Sequence, residues 1–134
     1  MKRLLVVFFC LMALVLNAQD KEQWIKLNGA PLQVNEKVHD FGTLTEGDKT
    51  VFEFQILNDS AAHFVITSVS TSCGCTTSSY SQRPVKQGKT ATIKVGYDSS
   101  RIGVFTKMVY VYSNFCNEPI VFEIKGKINK KGEE

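Results

Sequence analysis

Apolar and polar residues alternate over short runs along most of this chain, and this alternation is the feature that most restricts its fold. In the clearest run, 90–97, the apolar residues stand at every second position: Ala91, Ile93, Val95 and Tyr97. Because successive side chains of a β-strand point to opposite faces, this pattern predicts a strand with one face in a core. No heptad and no convincing helical stripe competes with that interpretation.

Similar runs recur between turn signals along the chain. The predicted strands are a broken first strand at 32–34 and 38–41, then 49–57, 64–69, 90–97, 105–113 and 119–128. Segment 78–88 is polar and contains Pro84 and Gly88, which predicts an irregular loop. About seven short strands in about 100 residues, without helical crossovers, predict an all-β, immunoglobulin-like antiparallel β-sandwich with Greek-key connections.

Residues 1–18 have the layout of a cleavable export signal. Lys2 and Arg3 precede an apolar run at 4–16, which spans only about 20 Å as a helix and is too short for a bilayer core of about 30 Å. We therefore expect cleavage after Ala18, no transmembrane segment in the mature chain, and an exported protein of the periplasm or cell envelope.

The mature chain is expected to contain one domain at 32–128, between an N-terminal leader at 19–31 and a disordered charged tail at 129–134. Removing the signal lowers the lysine and arginine count from 16 to 14 against 13 acidic residues, so the net charge falls from +3 to +1. A chain so close to neutral lacks the basic surface that nucleic-acid binding requires.

Cys73-Gly74-Cys75 is the motif with the most chemistry, because it holds two thiols one residue apart. In an extended strand their Cα atoms would lie about 6.6 Å apart on one face, whereas disulfides prefer about 5.5–6 Å. A bridge between them needs a bend, which Gly74 permits because it lacks a Cβ atom. A strained bridge of this kind belongs to the labile, redox-active class of disulfides.

Cys116 is the third cysteine of the mature chain, so one thiol stays unpaired within the chain. A bridge from Cys73 or Cys75 to Cys116 would close a loop of about 40 residues, worth roughly 3–4 kcal/mol. Alternatively, the thiolates of the motif bind a soft ion such as Cu(I), with Cys116 as a third sulfur ligand. The pair could also be small buried residues that pack a hairpin.

The sequence offers few parts for catalysis or zinc binding. Ser99 and Ser100 have no assignable His–acid partner, and one thiol pair with His39 and His63 falls short of a zinc signature. No Cys-x-x-Cys precedes a helix, which argues against an efficient oxidoreductase. We expect no enzyme activity and no catalytic, cofactor-binding or metal residue. The candidate thiol site consists of Cys73, Cys75 and Cys116.

A wider set of short motifs spreads over residues 32–128. It comprises His39-Asp40-Phe41-Gly42, Glu46-Gly47, Phe52-x-Phe54 with Asn58, Ser72-Cys73-Gly74-Cys75-Thr76, Ile93-x-Val95-x-Tyr97-Asp98 and Ser113-Asn114. Together these motifs resemble the DUF1573 domain, a bacterial family of unknown function in a wider immunoglobulin-like group with major sperm protein and the PapD-type chaperones. The resemblance implies an exported β-sandwich and carries over no established activity, ligand or catalytic residue.

The first functional hypothesis is a non-enzymatic interaction or structural module of the cell envelope. An exposed edge strand would pair with an extended segment of an envelope partner. The end strand at 119–128 is the candidate edge, with its lysines guarding against indiscriminate pairing. The alternative hypothesis is a thiol-redox or copper-binding protein that uses Cys73-Gly74-Cys75.

Overall fold

The computed structural model of the protein describes residues 24–27 and 29–132, and this part of the chain contains nine strands and no helix. The strands are β1 Ile25–Lys26, β2 Leu32–Val34, β3 Val38–Thr45, β4 Val51–Asn58, β5 Ile66–Thr71, β6 Thr76–Tyr80, β7 Thr90–Tyr97, β8 Gly103–Ser113 and β9 Ile120–Asn129. The predicted all-β sandwich is confirmed, with nine strands in place of about seven. The predicted signal at 1–18 lies outside the described residues.

Two sheets pack face to face to form the sandwich. One has the strand order β1-β2-β4-β7-β6 and the other has the order β3-β9-β8-β5. All pairs are antiparallel except β3 with β9, which run parallel. The expectation of a wholly antiparallel fold is therefore corrected at this pair. The long chain between β3 and β9 supplies the return connection that parallel neighbours require.

Two predicted segments differ from the observed strands. The broken first strand is in fact two strands in different sheets, because the chain crosses between sheets after β2. The predicted loop at 78–88 overlaps β6, which extends to Tyr80. Its Thr-Thr-Ser-Ser-Tyr sequence shows little apolar alternation, so the signal for burial is absent. The strand instead forms through its regular backbone pairing with β7.

Apolar side chains from both sheets meet in one core between them. The fully buried residues include Phe54 and Ile56 of β4, Val109 of β8 and Phe122 of β9. The rings of Phe54 and Phe122 lie 4.5 Å apart and join the two sheets directly. The alternating faces predicted from sequence therefore point inward as expected.

The strand predicted at the sheet edge lies in the interior of its sheet, which corrects the candidate binding edge. β9 pairs with β3 on one side and with β8 on the other. Lys125 and Lys127 are exposed on its solvent face and protect no edge. Although β9 is the last strand in sequence, it lies between β3 and β8 in the sheet.

No helix in the described part of the chain is long and apolar enough to cross a membrane.

Candidate functional site

The Cys-Gly-Cys motif forms the turn by which the chain passes from one sheet to the other. β5 ends at Thr71 on the edge of the four-stranded sheet, and β6 begins at Thr76 on the edge of the five-stranded sheet. Between them, Cys73 and Cys75 are joined by a disulfide, with their Cα atoms 5.4 Å apart. The bend that the short spacing requires is therefore present at the crossover.

Gly74, at the tip of this turn, has no backbone or packing reason to be glycine. Its φ angle lies outside the left-handed region that favours glycine, and a Cβ atom built on it would meet nothing within 4 Å. The expectation that the bend depends on the missing Cβ is thus not what the structure shows. A Cβ atom at this position would therefore enter open space.

Hydrogen bonds hold the turn on both sides of the disulfide. The Thr71 hydroxyl donates to the carbonyl of Cys73 at 3.1 Å, and the N–H of Asp98 donates to the carbonyl of Cys75 at 2.9 Å. Ser72 exchanges two hydrogen bonds with the backbone of Met108, each 3.0 Å long. These contacts anchor the turn to β8 and to the end of β7 independently of the sulfur–sulfur bond.

The two sulfurs of the pair differ in their surroundings. Cys73 is partly exposed, whereas Cys75 is only 8% exposed and belongs to the core side of the turn. The backbone N–H of Cys75 donates to Sγ of Cys73 at 3.2 Å. Cys73 is therefore the more accessible residue of the pair, and its sulfur has a hydrogen-bond donor next to it.

Cys116 lies at the other end of the same sheet, away from the motif. Along β8, Met108 faces the Cys73 turn through Ser72, while Ser113 pairs with Ile66 at the start of β5. At about 3.3 Å per residue these two ends are roughly 16 Å apart. The structure thus brings Cys73 and Cys75 together and leaves Cys116 as a free, exposed thiol.

At this separation Cys116 does not lie beside Cys73 and Cys75 as a third sulfur, and Cu(I) binding by the motif stays a prediction. Among residues 24–27 and 29–132, no group of three His, Cys, Asp or Glu side chains is placed to hold a metal ion. His39 instead stacks on Phe52, with ring centroids 3.7 Å apart. Cu(I) binding by Cys73 and Cys75 alone would require the disulfide to be reduced, since the thiolate is the metal ligand.

Asp98 follows β7 beside the thiol turn and carries a perturbed carboxyl group. Hydrogen bonds from the hydroxyl and N–H of Ser100, at 2.6 and 3.0 Å, lower the pKa of Asp98, and the charge of Arg101 lowers it further. Because the pKa of Asp98 is lower in the folded state, its ionised carboxylate stabilises the folded loop at pH values above the ordinary carboxyl pKa. This contribution is lost as the pH falls through the folded-state pKa. The Ser100 hydroxyl is thus engaged in a turn.

Four strands lie at the sheet edges, and β6 is the edge best suited to bind another strand. β1 has only two residues, β3 has a register shift between Asp40 and Thr43, and β5 has one between Ile66 and Ser68. β6 pairs with β7 in unbroken register over all five positions and contains no charged residue. Short length, bulges and charged side chains commonly prevent an edge strand from pairing with another chain. β6 has neither a bulge nor a charged residue.

The backbone groups on the open side of β6 can be assigned from its ladder with β7. Cys75 and Ser81 are hydrogen-bonded to Asp98 and Thr92, so alternate residues of the segment turn their N–H and C=O groups toward β7. The residues between them, including Ser78 and Tyr80, turn these groups away from β7. Within the described chain, no strand is hydrogen-bonded to β6 on that side. The sequence pattern does not predict this edge, because the only strand signal in β6 is the β-propensity of Thr and Tyr.

Replacing both Cys73 and Cys75 by alanine is expected to lower the free energy of unfolding by only about 1.5 kcal/mol, because the disulfide closes a loop of about three residues. Urea denaturation of the two proteins, fitted with a common m-value, measures this difference. A loss of more than about 4 kcal/mol would show that the bridge is a main structural support.

These observations define a class: a small immunoglobulin-like β-sandwich module with one disulfide at a sheet crossover. The chain belongs to the DUF1573 family, described as "Protein of unknown function", whose family model matches residues 32–128. The resemblance seen in the sequence motifs is thereby confirmed. No curated protein matches this sequence.

Solved structures share the fold at low sequence identity. A protein of unknown function from Porphyromonas gingivalis W83 gives a TM-score of 0.62 at 16% identity, over 83% of this chain and 50% of that one. PapD-like domain 7 of human CEP192 gives 0.63 at 10% identity, over 79% and 90%. The VesB protease of Vibrio cholerae gives 0.57 at 11% identity, over 74% and 32%. This chain therefore spans half the length of the first of these proteins, and the likeness concerns the fold alone.

Proposed function

We propose that this chain is a non-enzymatic, exported module of the cell envelope that binds an extended segment of a partner protein along β6. The observation that carries the proposal is the regular, uncharged and unpaired edge of this strand. Export is supported by the sequence pattern at residues 1–18, where a short basic start precedes an apolar run. Membership of a family of β-sandwiches without a known activity fits a binding role.

The binding mode is the addition of one strand to the five-stranded sheet. An incoming segment would hydrogen-bond to the outward N–H and C=O groups of Ser78 and Tyr80. Because β6 carries no charge of its own, the partner segment is expected to be uncharged and rich in hydroxyl or β-branched residues. The sandwich core is already closed by its own strands, so the partner adds to the edge and completes no missing part of the fold.

Ser78→Pro is expected to weaken partner capture from an envelope extract by at least about tenfold. Proline lacks the outward N–H that would donate a hydrogen bond to a carbonyl of the partner. The ladder with β7 stays intact, since the backbone groups of Ser78 point away from it. Ser78→Thr keeps the N–H and is the matched control. Captured proteins are quantified by mass spectrometry for the wild type and both variants, after thermal unfolding shows that all three are folded.

Hydrogen exchange provides a second measurement that requires no variant. In the free protein the amides of Ser78 and Tyr80 should exchange rapidly, and the captured partner should slow both. Equal capture by wild type and Ser78→Pro, or unchanged exchange at these two amides in the complex, would contradict the proposal. The absence of any protein captured specifically by the wild type would contradict it as well.

A further inference from the structure

We infer that the Cys73–Cys75 disulfide exchanges with a pair of reduced cysteines on a partner protein, and that Sγ of Cys73 is the sulfur attacked. This inference concerns the turn and not the β6 edge, so it stands apart from the proposed function. It rests on the difference in burial between the two cysteines, on the open space at Gly74 and on the hydrogen bonds that hold the turn.

The burial of the two cysteines determines where an incoming thiolate can react. In thiol–disulfide exchange a thiolate attacks one sulfur, and the other sulfur leaves. Cys73 is partly exposed, while Cys75 is only 8% exposed. Attack at Cys73, with Cys75 as the leaving sulfur, is therefore the reaction that the surface of the protein permits.

The chemistry balances in two steps. First, a partner thiolate attacks Sγ of Cys73, the new sulfur–sulfur bond forms, and the Cys73–Cys75 bond breaks. The electron pair stays on Sγ of Cys75, which takes up a proton from water. Second, the other thiolate of the partner attacks the partner's own bonded sulfur, and Cys73 leaves as a thiolate. The partner dithiol loses two electrons and two protons and becomes a disulfide, and Cys73 and Cys75 gain them as thiols.

The backbone beside Cys73 is suited to that second step. The N–H of Cys75 lies 3.2 Å from Sγ of Cys73, where a donor stabilises negative charge on the leaving sulfur. Because Thr71, Ser72 and the N–H of Asp98 hold the turn without using the sulfurs, its shape survives reduction. The two thiols therefore stay close enough to be oxidised again.

The fold does not explain why residue 74 is a glycine. Neither its φ angle nor its packing requires glycine, and a Cβ atom there would meet no residue beyond its two neighbours within 4 Å. We expect the fold to tolerate a side chain at this position, and we expect that side chain, one residue from each cysteine, to hinder a molecule that approaches the disulfide. Gly74→Leu therefore separates access to the disulfide from stability of the fold.

The test uses the protein with Cys116→Ala, which removes the free exposed thiol, and reduced glutathione as the probe. Peptide mass spectrometry after acid quenching and alkylation should find the glutathione adduct on Cys73 at least about tenfold more often than on Cys75. With dithiothreitol as the probe, about one molecule should be oxidised per protein chain. Adducts distributed equally between the two sulfurs, or a disulfide that resists both thiols at millimolar concentration, would overturn the inference.

Gly74→Leu in the same background should slow the opening of the disulfide by at least roughly tenfold while the Tm changes by less than about 3 °C. Ser78→Pro should leave the opening rate unchanged, because it alters only the β6 edge. A Gly74→Leu variant that is reduced as fast as its parent would contradict the access argument. Equal partner capture by the wild type and Ser78→Pro, with normal exchange at the disulfide, would instead reject only the binding proposal.

Discussion

Phe54→Ala is expected to lower the free energy of unfolding by about 4 kcal/mol, the largest effect that we predict for a single substitution. Phe54 is fully buried in β4 and its ring lies 4.5 Å from Phe122 of β9, in the opposite sheet. It also contacts Phe52 edge to face, with centroids 4.9 Å apart. Truncation leaves a cavity between two sheets whose backbones are fixed by their own ladders, so the space cannot close.

Urea denaturation followed by circular dichroism and tryptophan fluorescence measures this loss. Val104→Ala is the matched control, because Val104 is 80% exposed in β8 and should change stability by less than about 0.5 kcal/mol. A double-mutant cycle with Phe122→Ala should give a coupling of about 0.5–1.5 kcal/mol for the ring pair. A loss below about 1 kcal/mol for Phe54→Ala would show that the two sheets do not pack through this pair.

Asn58→Ala is expected to cost about 3 kcal/mol, the second largest effect. Asn58 is completely buried at the end of β4. Its side-chain amide donates to the carbonyls of Ala62 and Val85 at 2.8 Å each, and its side-chain oxygen accepts from the N–H of Ser60 at 2.9 Å. Alanine would remove the side-chain partner of all three backbone groups. The buried carbonyl of Val85 would keep only the N–H of Phe64, at 2.9 Å, because water cannot replace the amide there.

Thermal unfolding should show this loss as a fall in Tm of roughly 12–20 °C for a domain of this size. Asn114→Ala is the control, since Asn114 also links two loops through hydrogen bonds to His63 and Val65 but is exposed. Water can take over its contacts, so the loss should stay under about 1 kcal/mol. If both variants lost the same stability, burial would not be the reason for the role of Asn58.

The core strands could be predicted from sequence because their alternation records burial directly. In 90–97, each apolar residue from Ala91 to Val95 lies on the face that the pattern indicated. The turn at Glu46-Gly47-Asp48 was predictable for a similar local reason, since Gly47 has a φ angle of +91° that other residues rarely adopt. Local chemistry decides these features, so no tertiary contact is needed to find them.

The candidate sites could not be predicted from sequence, because they arise from contacts between strands that no local sequence pattern indicates. β6 carries no hydrophobic alternation, and its edge position follows from where β7 and β5 place it. The strand at 119–128 has a clear pattern, yet that pattern is the same at an edge and in the interior of a sheet. The disulfide pairing of the three cysteines could not be predicted either, because their spacing in sequence does not show which end of a strand each one lies near.

The sequence by itself determined that this chain folds as a β-sandwich, which strand faces enter the core, and that two thiols stand one residue apart. Only the tertiary structure decided that β9 is interior, that β6 has an open side, and that Cys73 is accessible while Cys75 is buried. The physical reason is that burial periodicity acts along one strand, whereas strand order and solvent access arise from contacts between residues distant in sequence.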